Sequence, residues 1–315
     1  MFPSFYSRKY KKKFEVKTNA LVCEDITVPV VDGISRFVHT GSYASLFGEQ
    51  WKKYKKTQLD SYTGIPISAT RLFRCLGPLK DNLRGKLVLE AGCGAGRFTE
   101  VLLQQGARLV SADLSSAVEA NKENFALSDT HQIIQADIND MPFENGTFDV
   151  VICIGVIQHT PSPEETIANL YNLVKPGGYL VIDHYTQDPG QFFMRTTSWH
   201  RRRLRKKPFH ETLAATTKLV KRYLPWHRRF ANNRVMRILL NRISPIDTYY
   251  QAYPQLNDQL QYEWSLLDTH DSLTDWYKHL RNKKQIASVL SNLGATEIWC
   301  EYGGNGVEAR CQKPF

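Results

Sequence analysis

The stretch Leu87-Val-Leu-Glu-Ala-Gly-Cys-Gly-Ala-Gly-Arg-Phe98 decides the fold. It has the pattern of a buried strand that ends in an acidic residue and is followed by three glycines that open a helix. Glycine is needed where the backbone turns sharply and a ligand lies against it, because a Cβ atom would collide there. The stretch therefore predicts a strand-to-helix turn that binds a ligand, and the alternative is a tight turn alone.

Two acidic residues further along the chain support a nucleoside ligand. Asp113 ends the next predicted strand, 23 residues after Glu90, where an acid can accept hydrogen bonds from both ribose hydroxyls. Asp137 ends the third predicted strand and precedes Ile138, a pair that suits an adenine amino group and its ring face. The alternative is that these acids are solvated strand ends. A nicotinamide fingerprint is disfavoured, because its third glycine would fall at position 97, which is arginine.

The surrounding sequence alternates short apolar runs with helical patterns, which predicts βαβ units and a parallel sheet. We predict strands over 86–90, 108–112, 131–136, 148–154 and 178–183, and helices over 97–105, 115–127 and 163–174. A helix over 283–293 and strands over 296–301 and 307–311 follow later. The Gly303-Gly304-Asn305-Gly306 turn between these last strands predicts a hairpin, so the sheet should end in an antiparallel strand.

Length and composition are those of a globular protein. The 315 residues are 42% hydrophobic and 23% charged, which excludes a disordered chain or a disulfide scaffold. No apolar run is long enough to span a bilayer, and the polar start lacks a secretory signal, so a cytoplasmic location is expected, with contact at the inner membrane surface as an option. The six scattered cysteines predict free thiols, and we predict no metal site, because neither a ligand spacing nor a carboxylate cluster at the acceptor face is evident.

Positive charge is concentrated in two segments. The net charge is +10, yet residues 195–242 hold fifteen Lys and Arg against one acid, and residues 1–17 hold six against one. The remainder of the chain is therefore acidic. This distribution favours a local surface for an anionic partner over a domain that binds nucleic acid throughout.

Taken together, the motifs resemble those of class I S-adenosylmethionine-dependent methyltransferases. The matching pieces are 90–96, Asp113, Asp137-Ile138 with Met141-Pro-Phe143, 148–155 and 173–180. The resemblance implies an α/β fold with a Rossmann-like, doubly wound sheet of seven strands, in the order 3-2-1-4-5-7-6 with strand 7 antiparallel. It implies S-adenosyl-L-methionine as cofactor, contacted by Glu90, Gly92, Cys93, Gly94, Gly96, Arg97, Asp113, Leu114, Asp137, Ile138, Ile154 and Gly155.

Residues 31–38 and 43–61 are similar to the front end of a bacterial tailoring-type subgroup of that family, in which an aromatic helix closes over the cofactor. Trp51, Tyr54 and Gln58 are spaced to share one helical face. The resemblance implies that Trp51 and Gln58 contact the cofactor. The alternative is that this face only packs on the sheet.

The predicted organisation has four parts. Residues 1–80 form an N-terminal extension with cofactor-covering helices, and residues 81–185 form the cofactor-binding core. Residues 186–280 form a basic helical insertion that covers the acceptor, and residues 281–315 complete the sheet.

Methyl transfer requires alignment of the acceptor and, for a hydroxyl, a group that accepts its proton. Candidates lie beyond the carboxyl ends of the fourth and fifth strands, and a second group lies in the aromatic segment 262–271. The candidate catalytic residues are His159, Asp183, His184, His270 and Asp271. For Asp268, His270 and Asp271 the alternative is a hydrogen-bond network that orders the insertion.

The leading hypothesis is O-methylation of a small molecule, of a glycan or of a lipid-linked acceptor. An RNA methyltransferase that uses the basic insertion is the second hypothesis, and a binding protein without activity is the third. Leu213, Leu219, Val220, Tyr223 and Leu224 share a helical face from which Lys218, Lys221 and Arg222 are absent. Such a basic amphipathic helix suits an anionic membrane surface, a lid over an anionic acceptor, or a solvated face.

Overall fold

The computed structural model describes residues 2–38, 45–186 and 195–315. The strands of this part of the chain are β1 (Tyr6–Ser7), β2 (Lys12–Lys13), β3 (Glu15–Lys17), β4 (Ala20–Cys23), β5 (Ile26–Val31), β6 (Ile34–Arg36), β7 (Leu87–Ala91), β8 (Arg108–Asp113), β9 (His131–Gln135), β10 (Phe148–Cys153), β11 (Val174–His184), β12 (Thr296–Gly303) and β13 (Gly306–Gln312). The helices are α1 (Ser45–Lys53), α2 (Asp60–Thr63), α3 (Ile67–Leu76), α4 (Thr99–Gln104), α5 (Ala117–Asn124), α6 (Pro163–Leu173), α7 (Arg195–Leu204), α8 (Phe209–Arg229), α9 (Arg234–Ile243), α10 (Asp258–Thr274) and α11 (Lys283–Asn292).

The predicted α/β sheet is confirmed at its centre. Strands β9, β8, β7, β10, β11, β13 and β12 lie side by side in this order, which corresponds to 3-2-1-4-5-7-6. Strand β13 pairs antiparallel with β11 and with β12. Every residue of β7 is buried, as expected for a parallel strand with helices on both faces.

The predicted strand count is wrong, because the sheet in the described residues has eleven strands and not seven. Strands β6, β5, β4 and β3 extend the sheet beyond β9. Strand β6 pairs parallel with β9 through Ser35 and Ile134. This addition is stabilised by burial, because the fully buried Ile34 packs with Val118 and Ile133.

Helices cover both faces of the central sheet. One apolar cluster joins α3 and α4 to one face through residues such as Leu72 and Leu102. A second cluster joins α6 and α11 to the other face through Leu170 and Leu290. Strand β11 begins four residues earlier than predicted, because Val174 already pairs with Phe148. All six cysteines are buried and unpaired.

Helices α7 to α10 form the insertion. Leu213, Val220 and Leu224 of α8 pack with Ile246 and Leu266 in a separate apolar cluster. The basic residues Lys218, Lys221 and Arg222 of the same helix are exposed, so α8 has the amphipathic arrangement that its sequence predicts. In the described part of the chain, no helix has the length and apolar character needed to cross a bilayer.

Candidate functional site

A cavity of about 1370 Å³ opens where β7, β8, β10 and β11 end. It is lined by the glycine turn after β7, the N-terminal segment, the insertion and the tip of the β12–β13 hairpin. Pockets for one drug-sized ligand measure roughly 300 to 1,000 Å³. The cavity therefore has room for a cofactor and a second molecule together.

The glycine turn forms one wall. Gly92 has a φ of +83°, and a Cβ atom on it would lie 2.3 Å from a methyl carbon of Val156. Only glycine fits this position, because both the backbone conformation and the available space exclude a side chain. The backbone N–H of Gly94 donates to a carboxylate oxygen of Asp113 over 2.9 Å. The turn and the end of β8 therefore hold each other in place.

Asp113 lies on the cavity wall together with Cys93, Leu114 and Ile138. Its second carboxylate oxygen accepts hydrogen bonds from the backbone N–H and the hydroxyl of Ser115, over 2.8 and 2.7 Å. Burial raises the pKa of Asp113. An acceptor group beside apolar side chains suits a ribose next to an adenine ring.

Three predicted cofactor residues do not lie on the wall. Glu90 is buried beneath the turn and accepts a hydrogen bond from the Thr99 hydroxyl over 2.5 Å, and burial raises its pKa to about 8. Gly96 faces Phe125. Asp137 accepts a hydrogen bond from the backbone N–H of Asn139 over 2.8 Å. These three residues hold the loops around the cavity, and direct contact with a cofactor stays a prediction for them.

The N-terminal segment forms the opposite wall. Trp51 lies over the glycine turn. Its indole is 3.5 Å from the point where a Cβ atom on Gly94 would lie. Helix α1 ends at Lys53, so the predicted common helical face of Trp51, Tyr54 and Gln58 does not exist. Trp51 and Gln58 nevertheless line the cavity, whereas Tyr54 packs against the apolar cluster of α8.

Arg97 connects this segment to the insertion. Its guanidinium donates to the Gln58 side-chain oxygen over 3.2 Å, and the Gln58 amide donates to Asp268 over 3.0 Å. Burial and the neighbouring Arg71 lower the pKa of Arg97 to about 10, so it stays charged at neutral pH. Arg97, Ile154 and Gly155 line the cavity.

Of the five predicted catalytic residues, His159 and Asp271 line the cavity. His159 Nδ1 lies 3.0 Å from the backbone oxygen of Tyr277. A carbonyl only accepts hydrogen bonds, so Nδ1 carries the proton and Nε2 is the basic nitrogen of the neutral ring. Burial lowers the pKa of His159 to about 4. The ring is therefore neutral at physiological pH.

Asp183 and His184, also predicted as catalytic, are not among the residues that line the cavity. Asp183 is buried, pairs with Arg71 and accepts a hydrogen bond from the backbone N–H of Gly155 over 2.6 Å. His184 is buried in β11, with Nδ1 2.8 Å from the Tyr185 carbonyl. The Asp183 carboxylate is thus held by two residues that line the cavity, Arg71 and Gly155. The buried Nε2 of His184 has no hydrogen-bond partner among the described residues.

His270 is also not on the wall. Its Nδ1 donates to Gln50, and its Nε2 lies 2.9 Å from the Thr212 hydroxyl. Burial lowers the pKa of His270 to about 4. This residue joins α1, α8 and α10, so the alternative prediction of an ordering network describes it better than a catalytic role.

The structure adds Asp247 and Tyr249, which the sequence analysis did not single out. Asp247, Tyr249 and Arg201 line the cavity, and so do Asp268 and Asp271. The Tyr249 hydroxyl donates to Asp268, and burial raises the pKa of Asp268 to about 6. Three carboxylates, those of Asp247, Asp268 and Asp271, therefore line this side of the cavity. The sequence feature that could have indicated these residues is the loop after Pro245, where polar and aromatic residues separate two helices.

Part of the chain is similar in sequence to known methyltransferases. Residues 89–182 match the family model described as a methyltransferase domain. A ubiquinone biosynthesis O-methyltransferase of Pseudomonas paraeruginosa is 34% identical over 127 residues, which cover 36% of this chain and 53% of the relative. The corresponding protein of Vibrio parahaemolyticus is 36% identical over 109 residues, covering 32% and 44%. The chain thus spans about half the length of the curated relatives it matches.

Solved structures give more distant matches. Human N-acetylserotonin methyltransferase, in complex with S-adenosylmethionine, aligns with a TM-score of 0.47 and 14% identity over 85% of this chain and 57% of that one. Magnesium protoporphyrin IX methyltransferase from Synechocystis, with bound S-adenosylhomocysteine, aligns with a TM-score of 0.45 and 14% identity over 86% and 95%.

Proposed function

We propose that this chain, whose residues 89–182 match a methyltransferase domain, transfers the methyl group of S-adenosylmethionine to an oxygen atom of a small molecule. One observation supports this function above the others. The glycine turn and Asp113, which fit the nucleoside, line the same cavity as His159 and the insertion's carboxylates. A cofactor and an acceptor bound in this cavity would be neighbours.

The residues present fit the cofactor. The space over Gly94 is bounded by the Trp51 indole, and the Asp113 carboxylate supplies acceptor oxygens beside Leu114 and Ile138. We propose that Gly92, Cys93, Gly94 and Arg97 hold the methionine part, that Asp113 holds the ribose, and that Ile154 and Gly155 lie under the methyl group. When bound, S-adenosylmethionine supplies an electrophilic methyl group on a sulfonium.

His159 is the candidate proton acceptor for the acceptor hydroxyl. Nδ1 is committed to the Tyr277 carbonyl, which orients the ring and leaves Nε2 as the basic nitrogen. Asp271 is the alternative, since its carboxylate also lines the cavity and accepts a hydrogen bond from the Gln50 amide over 2.9 Å. Burial, together with Asp268 and Asp275, raises the pKa of Asp271.

The insertion gives the acceptor side its character. Tyr249, Tyr253 and Trp264 supply ring surfaces that pack edge-on or stacked within 6 Å of one another, while Arg201 and Lys278 add positive charge to the same cavity. Aromatic surface with convergent polar groups is typical of small-molecule sites. We propose an acceptor that carries a hydroxyl group and an anionic or polar substituent, such as a glycan or a lipid-linked metabolite.

The proposal is tested in two steps. Calorimetry should show binding of S-adenosylmethionine and S-adenosylhomocysteine to the whole chain. The protein, labelled cofactor and a panel of phenols, glycosides and polyprenyl phosphates should then give an acceptor heavier by one methylene group, with the label on oxygen. Absence of cofactor binding would refute the proposal, and label found on nitrogen or carbon would refute the O-methyl assignment.

A further inference from the structure

The outward side of α9 carries an apolar surface that the fold leaves uncovered. Val235, Ile238, Leu239 and Ile243 are 74%, 46%, 48% and 48% exposed. Together with Arg242 they occupy positions i, i+3, i+4, i+7 and i+8 of the helix and therefore share one side. We call these five residues the α9 face.

Helix α9 exposes its apolar side, whereas a surface helix usually buries that side. Its buried residue is Leu240, which is 6% exposed, and its remaining aliphatic residues mostly point away from the protein. A surface helix normally packs its apolar stripe on the core and exposes its polar side. Exposed apolar residues gathered on one face indicate an interaction site.

Helix α9 and the neighbouring α8 carry exposed basic residues. Arg234 and Arg242 of α9 are exposed, as are Arg222 and Arg229 of α8. Across residues 195–243 the sequence has fifteen Lys and Arg and one acid, Glu211, so this segment has a net charge of +14. Near the carboxyl end of α8, the 56% exposed Trp226 stacks on Phe230, which lies four residues before α9 begins.

The combination of exposed aliphatic and basic side chains favours one class of anionic partner over another. Phosphates of a nucleic acid require cations and gain little from exposed Ile and Leu side chains, whereas the surface of an anionic bilayer accepts both. The long side chain of Arg242 can reach the headgroups while its aliphatic neighbours enter the acyl boundary.

We propose that the α9 face docks the protein on anionic lipid bilayers, with α9 lying in the plane of the interface. The insertion that carries this face also supplies Arg201 and Asp247 to the cavity wall. Docking would therefore bring the acceptor side of the cavity close to the lipid surface. The inference concerns a surface separate from the cofactor site and does not depend on methyl transfer.

Co-sedimentation of the whole chain tests the proposal, with vesicles of phosphatidylcholine alone and of an equal mixture of phosphatidylcholine and phosphatidylglycerol. The protein should bind the mixed vesicles and not the neutral ones. I238S/L239S should reduce the partition coefficient at least about tenfold, because two side chains lose most of their transfer into the acyl boundary. R234Q/R242Q should reduce it about fivefold per arginine and flatten its salt dependence.

Matched controls change equivalent residues elsewhere. Val16→Ser removes a side chain that is 80% exposed on β3, and K86Q/K284Q removes two exposed lysines outside the insertion. Both controls should bind vesicles as the parent does. All variants should keep the parent's Tm and its affinity for S-adenosylhomocysteine, since the changed residues are exposed and lie outside the cavity wall.

Four results would overturn the proposal. The first is absence of binding to the anionic vesicles. The second is binding that I238S/L239S leaves unchanged. The third is a dimer in solution that I238S/L239S converts to a monomer, because the face would then be covered by a second copy of the chain. The fourth is binding of a single-stranded RNA oligonucleotide that R234Q/R242Q weakens and I238S/L239S does not.

Discussion

At the scale of single residues, the Asp113 carboxylate holds two neighbouring stretches of backbone in place. One oxygen fixes the Gly94 backbone, and the other fixes Ser115. Hydrogen bonds from backbone N–H groups hold the side chain in a single orientation before any ligand arrives, so little conformational entropy is lost on binding. The site is thus prepared by the same residue that we propose as the ribose partner.

Replacing Asp113 with Ala should weaken binding of S-adenosylmethionine and S-adenosylhomocysteine by about 1.5 to 3 kcal/mol, because buried hydroxyls lose a charged hydrogen-bond partner. Titration calorimetry of both ligands measures the change. Asp129→Ala, which removes an exposed Asp away from the cavity, is the control and should bind as the parent does. Equal affinity in the Asp113 variant would remove this residue from the proposed site.

The pH dependence of methyl transfer should separate His159 from Asp271. With a pKa of about 4, His159 is neutral throughout the range from about pH 5 to 8, so kcat should show no acid limb there. If Asp271 were the base, its raised pKa would make kcat climb as the pH rises through that value.

Two variants accompany the profile. His159→Gln should lower kcat by at least about 100-fold, the usual contribution of a general base, whereas His210→Gln, at an exposed histidine of α8, should not. A profile with an acid limb that disappears in Asp271→Asn would transfer the role to Asp271.

At the scale of elements, α7 is joined to the segment after α10 through one arginine. Arg201 pairs with Asp275 and donates to its backbone oxygen over 2.9 Å. The Asp275 side chain is fully buried, while that of Arg201 is 24% exposed. The neighbouring Arg202 and Arg203 are exposed. Neighbouring arginines of the Arg-rich segment therefore have different structural roles.

Arg201→Gln should lower the free energy of unfolding by about 3 kcal/mol, because it leaves the buried Asp275 carboxylate without its partner. The double variant R202Q/R203Q should change it by no more than about 0.5 kcal/mol, as expected for exposed positions. Urea denaturation of the three proteins measures both values. Equal midpoints for Arg201→Gln and the double variant would show that the pair does not hold the insertion.

The elements also show why part of the fold could be predicted and part could not. The strands around β7 follow from apolar runs and glycine turns, signals that are local in sequence. The path of β3 to β6 beyond β9 depends on Ile34 meeting Ile133, residues about one hundred positions apart, and no local pattern carries that information. The same applies to the site: Asp113 follows from the strand pattern, whereas Asp247 reaches the wall through helix packing.

At the scale of the whole molecule, one continuous sheet runs from β3 to β12 through the described residues. The N-terminal strands therefore share hydrogen bonds with the core that carries the glycine turn. Such continuity predicts that the extension and the core unfold together.

Replacing Ile34 with Ala should lower the free energy of unfolding by about 2 to 5 kcal/mol, because the side chain is fully buried and its removal leaves a cavity. Val31→Ala, at the nearby 48% exposed residue, should have an effect of no more than about 0.5 kcal/mol. Circular dichroism and tryptophan fluorescence should report a single shared transition. Two separate transitions would show that the extension unfolds independently.

Catalysis should need no metal. Among the residues that the structure describes, no group of three His, Cys, Asp or Glu side chains is placed to hold a metal ion, and an in-line displacement from a sulfonium needs no Lewis acid. Turnover should be equal before and after dialysis against EDTA. Loss of activity that magnesium restores would contradict this and would direct attention to Asp247, Asp268 and Asp271.

The hydrogen bond between Gln50 and His270 has a consequence for the synthesis of this chain on the ribosome. The two residues are 220 positions apart, and a ribosome adding roughly 5 to 20 residues per second separates their appearance by about 10 to 40 s. During that interval the buried amide of Gln50 lacks the imidazole, the Asp271 carboxylate and the Leu267 carbonyl that it contacts in the finished protein. The wall that carries Trp51 is thus completed only after α10 has been made, and the nascent chain must stay soluble with its cofactor site open.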